Sequence, residues 1–165
     1  MTAQEHQVCL LLGSNIQPEK YLVLAVDLLR GQVKIVRISS VWETPAVGSA
    51  GPDFLNLALL VTTALSAELF KEQVLRPLEA QLGRVRSADK NAPRTIDIDI
   101  ILVDNQLLDP NLYRFAHRAV PVAEILPDFR SEQGDLLKET ASRLTKTTQN
   151  RLRQDLLNTN NSNTS

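Results

Sequence analysis

The stretch Gly83–Leu102, GRVRSADKNAPRTIDIDIIL, sets four cations (Arg84, Arg86, Lys90 and Arg94) just ahead of two carboxylates, Asp97 and Asp99. From Thr95 onward polar and apolar residues alternate with period two, which predicts a strand. Residues two apart on a strand share a face and lie about 6–7 Å apart along the chain. Asp97 and Asp99 therefore point the same way, with Ile96, Ile98 and Ile100 packing behind them. Like charges on one face need a neutralising partner. A hard divalent cation such as Mg2+, bound by one or two carboxylates together with substrate phosphates, meets that need. Arginine side chains are planar, permanently charged forks suited to phosphate oxygens. The residues thus predict a metal-plus-arginine site for a polyphosphate.

The rest of the chain must supply the elements that hold this site. Val8–Leu12 is a short apolar run, a buried strand, closed by Gly13-Ser14-Asn15. That tripeptide reads as a plain strand-to-helix turn, because it lacks the longer glycine pattern and the lysine of a phosphate-binding loop. Pro18 opens a helix to about Leu29, with Leu22, Ala25, Val26 and Leu29 at helical spacing. Val33–Ile38 reads as a strand that continues loosely to Trp42. Glu43–Pro52 holds two prolines and two glycines, a loop long enough for binding. Phe54–Thr63 is apolar enough for a strand covered on both faces, and Asn56 is its interior polar residue. A buried amide needs partners, so Asn56 either satisfies a turn or reads a ligand.

Ser66 is the expected N-cap of a helix ending at Gly83, with Leu69, Phe70, Val74, Leu78 and Leu82 on its apolar face. Pro77 should kink or split it. Glu79, one turn before its exit, points toward Arg84 and the aspartates. Beyond Asp99 we expect a hairpin over Val103–Leu108, an irregular stretch Asp109–Arg118 holding His117, and one helical turn over Pro121–Ile125. An amphipathic helix over Leu136–Leu157 and a disordered tail, Asn158–Ser165, follow.

This order predicts an α+β fold, a ferredoxin-like sheet with helices packed on one face and a C-terminal helical extension. The other sheet face is left free for a ligand. Three parts are expected: a domain over 1–135, the helix over 136–157, and the tail over 158–165. With 165 residues the chain is long enough for one domain with its own core. A formal net charge of −1 gives no footprint for nucleic acid or anionic membranes. The single cysteine, Cys9, excludes a disulfide framework and reads as a small buried hydrophobe in a reducing compartment. There is no membrane-length apolar run and no signal-peptide layout at the N-terminus. The expectation is a cytoplasmic monomer with no nucleic-acid or membrane partner.

From Val8 to Pro127 the chain resembles the 6-hydroxymethyl-7,8-dihydropterin pyrophosphokinase family of folate biosynthesis. The most specific part is Ala92-Pro93-Arg94-Thr95-Ile96-Asp97-Ile98-Asp99-Ile100-Ile101, a proline-arginine followed by D-x-D on a strand. Leu12-Gly13-Ser14-Asn15, Thr44-Pro45, Pro52-Asp53-Phe54-Leu55-Asn56 and Gly83-Arg84-Val85-Arg86 match in the same order. The resemblance implies transfer of diphosphate from ATP to the hydroxymethyl group of the dihydropterin, with release of AMP. It implies that Asp97 and Asp99 hold two Mg2+ ions and that Arg84 and Arg94 act on the phosphates as catalytic residues. Glu79, Arg86, Lys90 and His117 join Arg84 and Arg94 in binding ATP, and Thr44, Pro45, Val47, Phe54 and Asn56 form the pterin pocket. Phe54 can stack on a flat ring, and Asn56 can read its edge.

The chain departs from the family pattern at two places. Asn91 stands where many members carry a tryptophan in the closing loop. Only Arg118, Ala119 and Val120 separate His117 from Pro121, where the pattern has a longer insert carrying an arginine and a phenylalanine that stacks on the pterin. Either His117 or Arg118 is the match to the family position, and Tyr113, Phe115 and Trp42 are candidates for the lost aromatic face. The alternative function is a catalytically weak or inactive nucleotide- or pterin-binding homologue of the same fold. A regulatory module whose D-x-D is only a solvated strand face is a third.

Overall fold

The structure, a computed structural model, describes residues 4–46 and 51–156. Val47, expected in the pterin pocket, and the tail Asn158–Ser165 lie outside the described residues. The chain opens with strand β1, His6–Ser14, then helix α1, Pro18–Arg30, and strands β2, Lys34–Ile38, β3, Val41–Thr44, and β4, Phe54–Thr63. A helical segment follows in three parts: α2, Ala67–Phe70, a π-helical turn, Lys71–Leu75, and α3, Arg76–Gln81. Strands β5, Asp97–Val103, and β6, Gln106–Leu107, lead to a 3-10 turn at Pro110–Tyr113 and helix α4, Ala116–Ile125. Helix α5, Leu137–Thr145, and strand β7, Arg151–Arg153, complete the described chain.

The seven strands form one sheet in the order β6-β5-β1-β4-β3-β7, with β2 also paired to β4. Every strand pairing among the described residues is antiparallel. The central strand β1 is buried on both faces, which is why its sequence is a continuous apolar run. Val8, Leu10 and Leu12 pack with Leu22, Ala25, Val26 and Leu29 of α1 and with Phe70, Leu75 and Leu78 of the α2–α3 segment. Cys9 and Leu11 face the other way, into a second core with Ala119, Val122 and Ile125 of α4 and Leu137 and Ala141 of α5.

The expectation that helices cover one face is therefore corrected: helices cover both. Alternation along β1 offers apolar side chains to each side, and α4 and α5 seal the side that was expected to be free. The stretch Asp109–Arg118, expected to be irregular, already contains the first turn of α4. Proline is tolerated inside α4 at Pro121, where its missing N–H leaves only the His117 carbonyl without its helical donor.

The C-terminal segment also differs from the single helix expected over 136–157. The helix ends at Thr145, and Arg151–Arg153 pairs with β3, Val41 opposite Arg153 and Glu43 opposite Arg151. Helical apolar spacing lapses after Leu144, in a run of threonines, Gln149 and Asn150 that lacks a core-facing stripe. Arg151-Leu152-Arg153 alternates with period two, and Arg153 binds Glu43 at 3.4 Å and Asp155 at 3.0 Å.

Other local expectations hold. Ser66 Oγ accepts the Leu69 N–H at 3.3 Å as an N-cap. Gly83, with φ +84°, takes the left-handed conformation just past α3. Pro77 does split its helix: the Arg76 N–H donates to the Lys71 carbonyl, five residues back, so the ladder widens by one residue next to the proline.

Candidate active site

The strand register brings together residues that are far apart in the chain. Asp97 on β5 lies opposite Gly13 on β1, which lies opposite Asn56 on β4, which lies opposite Trp42 on β3. Two residues further along each strand, on the same face, Asp99, Leu11 and Ala58 line up in the same manner. Side chains directly across a sheet share a face, so the two carboxylates and Asn56 project to the α4 side. Beyond the end of the second core a cleft opens there. Thr44, Pro45, Ala46, Phe54 and Asn56 form one side of it, and Lys90, Asn91, Arg94, Asp97 and Asp99 the other. His117 and Arg118, in the first turn of α4, also line it. A second cleft adjoins, lined by Lys71, Arg76, Ile98, Ile100, Leu108 and Asp109, and it shares Asp99 and Arg118 with the first.

Each carboxylate carries its own guanidinium. Arg94 Nη1 donates to Asp97 Oδ2 at 3.3 Å, and Arg118 Nη1 donates to Asp99 Oδ2 at 3.3 Å and to Asp109 Oδ2 at 2.8 Å. The other Asp109 oxygen caps the 3-10 turn by accepting the Asn111 N–H at 3.0 Å, which fixes the carboxylate that holds Arg118. Burial and the negative charge of Asp97 raise Asp99 above the usual carboxylate range, and Arg118 pulls the other way. Two half-buried carboxylates two residues apart on one face of a strand are a donor set suited to a cation. No group of three or more His, Cys, Asp or Glu among the described residues forms a metal cage. Asp97 and Asp99 therefore fit a hard ion whose remaining ligands come from phosphates or water.

Glu79, for which the resemblance implies a place in ATP binding, lines neither cleft. Its carboxylate is buried, with the side chain 2% exposed, and its partners are protein groups. It accepts the Ile98 N–H at 2.9 Å, Arg76 Nη1 at 2.6 Å and Arg86 Nη2 at 3.2 Å. The physical reason lies in the sheet edge. Strand β6 pairs with β5 only at Leu102 and Val103, so the backbone between the two aspartates has β1 on one side and no strand on the other. A buried N–H needs an acceptor, and Glu79 supplies it.

Arg84 and Arg86 are absent from the lining of both clefts, whereas Lys90 and Arg94 line the first. Burial lowers the Arg84 guanidinium from its ordinary range, Asp97 and Glu79 raise it, and Arg94 and Arg86 lower it further. Its Nε is buried with no hydrogen-bond partner among the described residues.

Asn15 is a residue whose role the sequence did not disclose. It is 4% exposed. Its Oδ1 accepts the Arg94 N–H at 2.8 Å, and its own N–H donates back to the Arg94 carbonyl at 3.1 Å. Its Nδ2 donates to the Pro52 carbonyl at 3.4 Å. Asn15 thus ties the loop before β4 to the segment carrying Arg94. The only signal was an asparagine directly after Gly-Ser, the kind of residue that bonds loop backbone through its side chain.

On the other side of the cleft, Asn56 Nδ2 donates to Thr44 Oγ1 at 2.8 Å, which orients the amide. A Cβ on Gly13 would lie 3.2 Å from Asn56 Oδ1 and 3.7 Å from Phe54 Cδ1, so the missing side chain leaves the floor open beneath both. His117 is half-buried, and its ring packs against Phe115 with centroids 5.5 Å apart. Burial and the adjacent Arg118 charge push the imidazole down to about 4, with Asp109 opposing, so the ring is neutral near neutral pH.

Helix α4 is fixed on the sheet by a second buttress. Glu124 accepts the Ser40 N–H at 3.0 Å, Ser40 Oγ at 2.6 Å and Trp42 Nε1 at 3.0 Å, and Arg37 donates to the Ile125 carbonyl at 2.7 Å. Trp42 is thereby committed to the buttress. Tyr113 donates to the Asp135 carbonyl at 3.0 Å, and Phe115 stands behind His117. None of the three lines the cleft.

The family model described as 7,8-dihydro-6-hydroxymethylpterin-pyrophosphokinase (HPPK) matches residues 9–127. A 2-amino-4-hydroxy-6-hydroxymethyldihydropteridine pyrophosphokinase from Pseudomonas aeruginosa is 34% identical over 145 residues, covering 81% of this chain and 88% of that protein. The protein of the same name from Methylorubrum extorquens is also 34% identical, over 81% of this chain and 90% of its own. The crystal structure of wild-type Plasmodium falciparum HPPK-DHPS superposes with a TM-score of 0.67 at 12% identity, covering 87% of this chain and 42% of that one. The chain spans less than half of that protein, and the likeness bears on the fold alone. With the family model covering most of its length and these relatives each matching 81% of it, the chain belongs to the 7,8-dihydro-6-hydroxymethylpterin-pyrophosphokinase family.

Proposed function

We propose that this chain transfers the terminal diphosphate of ATP to 6-hydroxymethyl-7,8-dihydropterin, giving AMP and the pterin diphosphate, as a step of folate biosynthesis. The observation that carries the reading is one cleft that joins the Asp97–Asp99 pair, with its two arginines, to the Thr44–Phe54–Asn56 wall. The curated relatives bear the name of this activity.

In this reading the first cleft takes the pterin. Phe54 lies against its flat ring, and Asn56, held by Thr44, offers donor and acceptor groups to its polar edge. Pro45 belongs to the same wall, and Val47 is assigned to it on the resemblance alone. The second cleft takes the nucleotide, with Ile100 and Leu108 as apolar walls and Lys71, Arg76 and Arg118 as cations. The phosphates then lie where the clefts meet, at Asp99 and Arg118. Lys90 and Arg94 reach them from the first cleft, and Arg84 and Arg86 approach from the loop behind.

The acceptor hydroxyl oxygen bonds to the β-phosphorus as the bond to the α-phosphate oxygen breaks. Such a displacement depends mainly on positioning and on neutralising charge. Asp97 and Asp99 are the residues that would hold Mg2+, two ions by the resemblance, and bound Mg2+ would neutralise charge on the attacking and leaving oxygens. Arg94 and Arg118 meanwhile balance the carboxylates and orient the phosphate oxygens. We also read the β5-β1-β4-β3 core as ferredoxin-like, on its strand order and antiparallel pairing, and the chain as a monomer. Among the described residues no helix is long and apolar enough to cross a membrane, and we place the reaction in the cytoplasm.

The test is the double substitution Asp97→Ala with Asp99→Ala. It should abolish turnover while leaving the far-UV dichroism and cooperative unfolding of the chain in place. Full activity in that variant would exclude the assignment of the metal.

A further inference from the structure

We infer that the C-terminal strand β7 is a strap that sets the acceptor wall, with Arg153 as its positioning residue: through Glu43 it fixes the end of β3, from which Thr44 orients the Asn56 amide. The inference rests on the reading of the first cleft as the acceptor site, and it adds to that site a segment remote from it in sequence.

Strand β3 is four residues long, and just past Thr44 the chain leaves the sheet with Pro45. One edge of β3 pairs with β4 at Trp42, Glu43 and Thr44. β7 covers the other edge at Val41, Trp42 and Glu43, so a strand that would form the rim of the sheet is paired on both sides. The Arg153 guanidinium is held in place there. Its Nε donates to Asp155 Oδ1 at 3.1 Å and its Nη2 to Asp155 Oδ2 at 3.0 Å, a planar two-point grip. That grip leaves Nη1 to reach Glu43 Oε2 at 3.4 Å and Glu19 Oε1, in the first turn of α1, at 3.5 Å. The Arg153 and Glu43 side chains are 20% and 25% exposed, so the pair is partly shielded from water. Leu156, just beyond, packs against the first core and pins the end of the strap.

Alternation along β3 carries this grip to the site. Val41 and Glu43 share the α1 side, where Val41 joins the first core. Trp42 and Thr44 share the α4 side, where Trp42 binds Glu124 and Thr44 lines the first cleft. β3 is therefore gripped by Arg153 from one face and by Glu124 from the other. The next residue along is the one whose Oγ1 accepts from Asn56 Nδ2 at 2.8 Å. Arg153 lines neither cleft, so its effect on the acceptor runs through Glu43 and Thr44. The second cleft draws no lining residue from β3 or β7, so the strap acts on the acceptor and leaves the nucleotide alone.

The test compares the full chain as wild type, Arg153→Ala, Glu43→Gln, Thr44→Val and the double variant Arg153→Ala with Thr44→Val. Hydrogen exchange is followed in a peptide spanning β3, without ligand. Calorimetry then titrates each form with Mg2+ and α,β-methylene-ATP, and next with 6-hydroxymethyl-7,8-dihydropterin. Arg153→Ala and Glu43→Gln should exchange the β3 amides faster and bind the acceptor about fivefold more weakly, with nucleotide affinity within about twofold of wild type. In the Thr44→Val background Arg153→Ala should weaken acceptor binding by less than about twofold more, because the link is already cut. Glu43→Gln carries the comparison should Arg153→Ala prove unstable. Unchanged exchange in β3 would overturn the grip. Faster exchange with unchanged acceptor affinity would leave β7 a brace for the fold and overturn the strap. So would a loss that falls on the nucleotide, or effects of Arg153→Ala and Thr44→Val that multiply in full. A wild-type chain that binds nucleotide and no pterin would overturn the acceptor reading and the strap's role in it, while the exchange result still decides whether Arg153 grips β3.

Discussion

Glu79 offers the sharpest probe of how the site is held. Replacing it with alanine removes a carboxylate that is 2% exposed and leaves the Ile98 N–H without the acceptor it has at 2.9 Å. An orphaned buried donor costs about 1–3 kcal/mol. The broken pair with Arg76 adds to this, but below the roughly 3–5 kcal/mol of a fully buried pair, because Arg76 is 29% exposed and can turn to water. Arg86 is 54% exposed and contributes little. The sum is about 3 kcal/mol, and at about 2–4 °C per kcal/mol for a chain of this size, Tm should fall by roughly 6–12 °C. Glu79→Gln keeps an oxygen for Ile98 and should lose only about 1 kcal/mol, roughly 2–4 °C. Because Ile98 lies between Asp97 and Asp99, kcat should fall at least about tenfold in the Ala variant, as small displacements of catalytic groups do. Differential scanning calorimetry with steady-state kinetics reads both effects. A Tm within about 2 °C of wild type together with unchanged kcat, for a site this buried, would refute the reasoning. So would a Gln variant as unstable as Ala, because the backbone bond would then not be what matters.

Asn15→Ala should lower Tm and turnover together. It leaves the Arg94 N–H without its 2.8 Å acceptor and unties Pro52, at a cost of about 1–3 kcal/mol, and Asn15→Asp, which keeps the acceptor, should be milder. The half-buried imidazole of His117 also predicts a pH dependence. Its pKa is about 4 in the fold against an ordinary 6.5, so between these values the unfolded chain binds a proton that the folded chain does not. Stability is therefore fully present above about pH 6.5 and falls as pH drops toward 4, by at most about 3 kcal/mol. Urea unfolding at about pH 5 and pH 7.5 should show a smaller difference in His117→Leu than in wild type. Equal differences would contradict a ring held neutral by the fold.

Much of this architecture was legible in the sequence because it rests on local pattern. The period-two run through Asp97 and Asp99, the apolar strand with Asn56 inside it, and the Ser66 and Gly83 helix boundaries are each set by neighbouring residues. What the pattern did not carry was which groups a side chain meets across the fold. Glu79 follows the spacing of a solvated helix face, yet it seals an unpaired strand edge that only the three-dimensional sheet creates. Asn15 reads as a turn residue until Arg94 and Pro52 arrive on either side of it. The double covering of the sheet was implicit in the alternation of Val8–Leu12, but the helix that covers the second face begins at Ala116, where a proline and a short segment hid the helical period. The end of α5 was misread because a sparse leucine stripe continued past the point where β3 offered an edge to Arg151–Arg153.

The most direct measurement follows the nucleotide product. Purified chain is incubated with Mg2+ and ATP, with and without 6-hydroxymethyl-7,8-dihydropterin, and AMP and ADP are separated and quantified. The account predicts AMP in equal amount to pterin diphosphate, formed only when the pterin is present. ADP as the stoichiometric product, or AMP formed at the same rate without the pterin, would contradict it.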